Sequence, residues 1–290
     1  MTLTHAYHMH DTKTWTPRGG KAFTPAPFGI MGIVNITPDS FYDGGRHAST
    51  EAAVAHARQL LRDGAHILDL GAESSRPGAT PVSPGEEQQR LLPVLRQLRN
   101  DGAPPLSVDT YHADTARAAL EAGADIINDI SACAMDPALR EVILEHKPGY
   151  VLMHSRGTPE TMQRNPRYIN VVDEVMAFFE SRLNSLVAAG LPEGRIVLDP
   201  GIGFGKCMEH NAALLQHIDR VLEFGRPVLM GLSMKSLFGA LLGLPAEQRG
   251  TATQVATALL ARRGVALHRV HDVADTARTL RLVQAMEKPA

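Results

Sequence analysis

Short apolar runs alternate with stretches of helical period along almost the whole chain. The runs at residues 28–36, 67–71, 106–108, 126–130, 150–153, 196–198, 227–232 and 267–270 are near-continuous rather than alternating. That is how parallel strands buried on both faces read. Between them, segments 51–62 and 114–122 place apolar residues on one helical face, and 171–189 gives the longest helix. Gly64, Gly123, Gly190 and Gly264 each follow a helical run, where a C-terminal glycine cap belongs. Most units span roughly 20 to 45 residues, enough for a strand and its crossover helix. Eight such units fill the chain and leave no linker. The pattern predicts α/β architecture: a single (β/α)8 TIM barrel over residues 28–290, with a short N-terminal extension, residues 1–27, ahead of it.

The polar residues collect at one end of these strands. The first ends in Asn35-Ile36-Thr37-Pro38-Asp39-Ser40, and the second in Asp69-Leu70-Gly71-Ala72-Glu73-Ser74-Ser75-Arg76-Pro77-Gly78. The third ends in Asp109-Thr110, the fourth in Asn128-Asp129 and the fifth in His154. The sixth ends in Asp199-Pro200-Gly201, the seventh in Ser233-Met234-Lys235-Ser236 and the eighth in Arg269-Val270-His271-Asp272. Barrel active sites lie at the C-terminal strand ends, and unpaired polar groups there would cost free energy. A polar cup that holds a hydrogen-bonding ligand is therefore expected. Asp109, Asn128 and Asp199 combine acceptors with an amide that can both donate and accept, which suits a flat heterocycle such as a pterin or guanine. Helix N-capping explains Ser and Thr after a strand better than it explains a buried Asp. Arg76, Lys235, Arg269 and His271 supply cations for an anion, and the loops after strands seven and eight are the usual phosphate site of such barrels. His154 reads either as a pocket lining or as a hydrogen-bonded structural histidine. The glycine-rich Gly201 to Lys206 stretch lacks the spacing of a nucleotide-binding motif and reads as a mobile turn.

Composition narrows the class further. The chain has 290 residues, 44% of them apolar and 21% charged, with 29 basic and 31 acidic side chains and a net charge of -2. It is too apolar and too evenly charged for a disordered polymer. It lacks the basic excess of a nucleic-acid binder. Two cysteines build no disulfide scaffold and fit a reducing compartment. No secretory signal is read at the start, and the most apolar window, 228–244, contains Lys235 and is short for a bilayer span. A soluble, cytoplasmic protein with small-molecule partners, and with neither nucleic acid nor membrane, is expected. His5, His8 and His10 read as a terminal tail rather than a metal site.

Two long motifs then carry a resemblance. Met31-Gly32-Ile33-Val34-Asn35-Ile36-Thr37-Pro38-Asp39-Ser40-Phe41, followed by Asp43-Gly44-Gly45, is similar to the first signature of the dihydropteroate synthase family. The stretch from Asp69 to Gly78 resembles the second, and the likeness continues through Ser107-Val108-Asp109-Thr110, Ile127-Asn128-Asp129-Ile130 and Leu152-Met153-His154. It runs on through Leu198-Asp199-Pro200-Gly201 and Gly231-Leu232-Ser233-Met234-Lys235-Ser236 to Arg269-Val270-His271-Asp272. The resemblance implies an enzyme of folate biosynthesis that joins 6-hydroxymethyl-7,8-dihydropterin diphosphate to 4-aminobenzoate, releasing diphosphate. Asp109, Asn128, Asp199 and Lys235 would hold the pterin. Asn35, Ser75, Arg76, Arg269 and His271 would hold the diphosphate, with Asn35 also near Mg²⁺. Phe41, Phe204, Ser233 and Ser236 would line the aminobenzoate pocket. Asp109, Asp199, Lys235, Arg269 and His271 would carry the catalysis. The family also implies a homodimer and sensitivity to sulfonamides, which mimic aminobenzoate. Met234 stands where the family usually has arginine, beside the aminobenzoate pocket. That substitution bears on affinity for the second substrate and for the sulfonamides that mimic it, and keeps a non-catalytic pterin-binding reading open. Methyltransferases that pass a methyl group from a reduced folate to a corrinoid share the barrel. Arg269, His271 and the first signature argue against them.

Overall fold

The computed structural model describes residues 14–18, 23, 28–36, 45–73 and 81–287, with side chains in the first helix from residue 50 onward. Its sheet comprises β1 (Gly29–Asn35), β2 (Ile67–Gly71), β3 (Leu106–Asp109), β4 (Ile126–Asp129), β5 (Gly149–Met153), β6 (Ile196–Asp199), β7 (Leu229–Met230) and β8 (Leu267–Val270). These eight strands are all parallel, in the order β6-β5-β4-β3-β2-β1-β8-β7. A parallel bridge between Leu198 and Val228 joins the two open ends. The single (β/α)8 barrel expected from the strand pattern is the observed fold. Strand β7 is shorter than its apolar run. Pro227 has no N–H to give to a ladder, although its carbonyl still accepts from the Leu198 amide at 3.0 Å.

Around the barrel run α1 (Gly45–Asp63), α2 (Pro84–Asn100), α3 (Ala113–Glu121), α4 (Leu139–His146) and α5 (Val171–Ala188). They continue with α6 (Met208–Gln216), α7 (Ile218–Leu222), α8 (Ser236–Leu242), α9 (Gly250–Arg262) and α10 (Val273–Glu287). The last two crossovers thus carry paired helices where a single one was read. Local chemistry starts and stops these helices where the sequence marks it. The Ser83 hydroxyl accepts from the Glu86 amide ahead of Pro84, and the Asn170 side chain caps α5. Gly64, Gly123, Gly190 and Gly264 take φ between 95° and 109° just past their helices.

Two cores follow from the two faces of each strand. Leu68, Leu70, Leu106, Val108, Ile127, Leu152 and Leu198 point outward and pack under the helices in one large cluster. Their neighbours one residue away point inward. Met31, Ile67, Ile126, Val151, Val197, Leu229 and Leu267 fill the lower barrel as a second cluster, together with Trp15. Trp15 comes from the extension and is fully buried. Its indole N–H donates to the Arg195 carbonyl at 2.7 Å, and its backbone bridges to Phe23. Thr16 and Arg18 donate backbone amides to Gly194 and Asp125. This part of the extension therefore seals the floor of the barrel, a role its isolated tryptophan did not signal.

Candidate functional site

Two residues further along each strand, the inward positions turn polar. Ile67 is followed on the same face by Asp69, Ile126 by Asn128, Val197 by Asp199 and Leu267 by Arg269, while Ser107 is followed by Asp109. Strand register brings them level: Asp69 lies opposite Ser107, and Asp109 opposite Asn128. An apolar floor thus carries a polar ring directly above it.

The ring is cross-linked. Arg269 Nε donates to Asp69 Oδ2 at 2.6 Å, and Arg269 Nη2 donates to Asp109 Oδ2 at 2.6 Å. Asn128 Nδ2 donates to the same Asp69 oxygen at 3.1 Å, and Asp69 Oδ1 has no partner. Burial pushes the Asp109 carboxyl up to about 7, against the pull of Arg269 and with the help of Asp69. Burial also raises Asp199, opposed by the Gly201 amide at 2.7 Å and by the Lys235 charge. Lys235 is drawn down to about 8 by burial, with Asp199 opposing, and its ammonium lies 4.1 Å from the centre of the Phe204 ring. Burial disfavours the Arg269 charge, but Asp69 and Asp109 outweigh it and hold the guanidinium firmly protonated.

The structure brings together Asp109, Asn128, Asp199, Lys235 and Arg269 as the sequence proposed. Asn35 ends β1 opposite Gly71 and is half-buried. On the rim, the His271 amide and Nδ1 both meet the Ser233 hydroxyl, at 3.2 and 3.0 Å. Ser236 begins α8 and is exposed. Phe41, Ser75 and Arg76 lie outside the described residues. Met234 adopts φ 59°, donates its amide to Thr253 Oγ1 at 3.2 Å and accepts from Arg249 at its carbonyl at 3.3 Å. Anionic and cationic side chains do not occupy separate halves, because Arg269 stands between two carboxylates.

Asp69 escaped selection because it was read only as part of a motif. The period of two, counted back from Gly71, places it on the barrel face. Glu73 and Glu87 also went unselected. Glu73 accepts from the Tyr111 hydroxyl at 2.7 Å and lies 3.4 Å from His112 Nε2. Buried Glu87 accepts from Thr110 at 3.1 Å. His154 is the hydrogen-bonded structural histidine of the two readings. Its Nδ1 meets Lys206 Nζ at 2.9 Å, and burial beside that cation lowers it to about 3.

Residues 31–271 match the family model described as Pterin binding enzyme. The chain is similar to dihydropteroate synthase of Bacillus subtilis, 42% identical over 257 residues, covering 89% of this chain and 88% of that one. Among solved structures it resembles Xanthomonas albilineans dihydropteroate synthase with 4-aminobenzoic acid, at TM-score 0.89 and 42% identity, over 96% of this chain and 100% of that one. It also resembles the Yersinia pestis dihydropteroate synthase in complex with a sulfonamide drug, at TM-score 0.88 and 38% identity, over 94% and 98% of the two chains.

Proposed function

The chain belongs to the pterin binding enzyme family, and from that premise we propose that it catalyses the dihydropteroate synthase reaction. It joins 6-hydroxymethyl-7,8-dihydropterin diphosphate to 4-aminobenzoate, giving 7,8-dihydropteroate and diphosphate. The observation that carries this reading is the polar ring of Asp109, Asn128, Asp199, Lys235 and Arg269 above a closed apolar floor. A flat, amino-bearing heterocycle set on that floor would meet acceptors and donors around its edge.

We assign pterin binding to Asp109, Asn128, Asp199 and Lys235. Diphosphate binding goes to Asn35, Arg269 and His271 together with Ser75 and Arg76. Phe204, Ser233 and Ser236, with Phe41, line the aminobenzoate side. Carbon–oxygen cleavage beside an electron-rich pterin leaves a cationic methylene. The carboxylates of Asp109 and Asp199 stabilise that charge, while Arg269 and His271 stabilise the departing anion. The aryl amine then attacks the methylene carbon, and no covalent bond to the enzyme is needed. The amine's proton leaves to solvent or to the diphosphate.

Among the described residues no three His, Cys, Asp or Glu side chains gather as a metal cage. The Asn35 carbonyl fits the sparser mode of Mg²⁺, which is bound through one or two protein oxygens and the phosphates of a substrate. When bound there, the ion would neutralise the leaving diphosphate. For assembly, we propose a homodimer. Leu241, Val255, Leu259, Leu282 and Met286 leave apolar side chains exposed along α8, α9 and α10, in keeping with a covered face. No helix among the described residues is long and apolar enough to cross a membrane. The two free cysteines fit the cytoplasm, where we place the enzyme. We also propose that sulfonamides compete with the aminobenzoate here.

Purified protein given pterin diphosphate, 4-aminobenzoate and Mg²⁺ is expected to form dihydropteroate and diphosphate. Product formed equally well after chelation would overturn the magnesium role. No product under any condition would return the chain to the non-catalytic pterin binder that Met234 leaves open.

A further inference from the structure

The turn that carries Phe204 is built around a buried ammonium. Lys206 is 2% exposed, and its Nζ meets His154 Nδ1 at 2.9 Å, the His154 carbonyl at 3.1 Å, the Gly201 carbonyl at 2.9 Å and the Phe204 carbonyl at 3.0 Å. All four neighbours are acceptors, and they share the three N–H bonds of the ammonium. Three are carbonyls, and the neutral imidazole presents a ring nitrogen. Burial lowers Lys206 to about 7, with the Asp199 charge opposing and those of Lys235 and Arg156 adding to the fall, whereas the all-acceptor surroundings favour the ammonium.

The same ammonium spans two loops. His154 opens the β5–α5 loop, whereas Gly201 and Phe204 belong to the β6–α6 turn. The two backbones touch so closely that only glycine fits between them. A Cβ on Gly201 would lie 1.9 Å from the His154 carbonyl oxygen, and one on Gly205 would lie 2.3 Å from that of Arg156. Both glycines have φ near 65°, at 66° and 64°. Three further ties run through the turn. Gln163 donates to the Gly203 carbonyl at 2.5 Å, Tyr168 donates to the Gly205 carbonyl at 2.9 Å, and the Gly203 amide donates to Asn211 at 2.8 Å. The turn read as mobile from its glycines is pinned in the structure.

We propose that Lys206 is a positioning residue: it locks the β6–α6 turn onto the β5–α5 loop and so fixes the Phe204 ring against which Lys235 and the aromatic amine are placed. The Phe204 carbonyl is held directly, so the ring's starting point is set by the ammonium. Phe204 in turn lies beside Lys235. Lys206 touches no substrate in this scheme. Its effect on the amine rests on the activity proposed above, whereas its effect on the two loops does not.

Steady-state kinetics with each substrate varied in turn would test this, on Lys206→Met and on Tyr168→Phe. The second variant removes only the hydroxyl by which the β5–α5 loop holds Gly205 of the same turn, and keeps the test decisive if the first does not fold. Lys206→Met is expected to raise KM for 4-aminobenzoate on the order of tenfold, with a smaller change for pterin diphosphate and little change in kcat. Tyr168→Phe should move the same constant in the same direction, by about twofold to threefold. Amide hydrogen exchange should quicken in residues 154–168 and 201–206 and stay as in the wild type elsewhere. Wild-type amine KM in both variants, together with wild-type exchange in those loops, would overturn the proposal, as would an effect confined to the pterin substrate. If the unaltered protein makes no product, the activity reading fails, and exchange alone decides the positioning role.

Discussion

Replacing Asp69 by Asn tests whether the polar ring works as a charged network or as a row of independent ligands. Asp69 is fully buried and takes hydrogen bonds from Arg269 and Asn128 on a single oxygen. Removing one partner of a buried ion pair costs about 3–5 kcal/mol when the other charge is stranded. Here Arg269 keeps Asp109 at 2.6 Å, and asparagine keeps an acceptor oxygen. A loss of about 2 kcal/mol is therefore expected. In a chain of this size that lowers Tm by about 4 °C. A second consequence is more diagnostic. The negative charge of Asp69 is one of the forces holding Asp109 up near 7. Without it, Arg269 acts on Asp109 alone, and the acid limb of the kcat/KM profile should move to lower pH by about one unit, equivalent to about 1.4 kcal/mol. Differential scanning calorimetry and a pH–rate profile on the same preparation measure both effects. A variant with wild-type melting and an unmoved acid limb would refute the network.

In the unaltered enzyme, kcat/KM should rise as Asp109 ionises through about pH 7 and fall as Lys235 loses its proton above about 8, giving a narrow bell; a profile flat from pH 6 to 9 would exclude both groups as the controlling pair. Asp199→Asn should lose turnover by two or more orders of magnitude, as expected for a charge that faces a developing cation; a full-rate variant, measured by product formation, would remove Asp199 from that role. Trp15→Ala opens the barrel floor and strands the Arg195 carbonyl, so urea denaturation should show a loss of about 3–5 kcal/mol. The molecules that remain folded should retain near-normal kcat, because Trp15 lies below the polar ring.

Much of the barrel was legible because its strands are buried on both faces. β2 and β8 coincide with the apolar runs at 67–71 and 267–270, and the glycine caps lie where helical period breaks off. The site was legible for a related reason. A charged residue that ends an apolar strand has to be reconciled with burial, so Asp109, Asp199 and Arg269 stood out. Three features were hidden. Trp15 belongs to a stretch with no periodicity, and Val151, Val197 and Leu229, which share its cluster, come from strands far along the chain. Lys206 looked like one more polar residue in a glycine-rich turn, because the burial of one lysine is not written in its neighbours along the chain. Asp69 sat in plain view within a motif, but its interaction with Arg269 joins positions 200 residues apart.

A near-zero net charge conceals how those groups are arranged. Grouped apart from the cations, buried Asp109 would be raised further, because burial and neighbouring carboxylates both favour its neutral form. Interleaving the acids with Arg269 and Lys235 opposes that rise. Burial raises both acids and lowers Lys235, so Asp109 and Lys235 approach each other near neutral pH. Protons on these two groups can then move at small cost near the working pH, so a bound substrate that brings or removes charge can redistribute them within the ring. A pterin diphosphate arrives with a polar, hydrogen-bonding edge and a strongly anionic tail, and the methylene becomes positive when the tail departs. A ring whose carboxylates ionise near the working pH can meet that positive charge as it develops. Arg269, held protonated by Asp69, keeps its charge throughout. Asp69 accepts from Arg269 and, through its own charge, helps keep the Asp109 titration near 7.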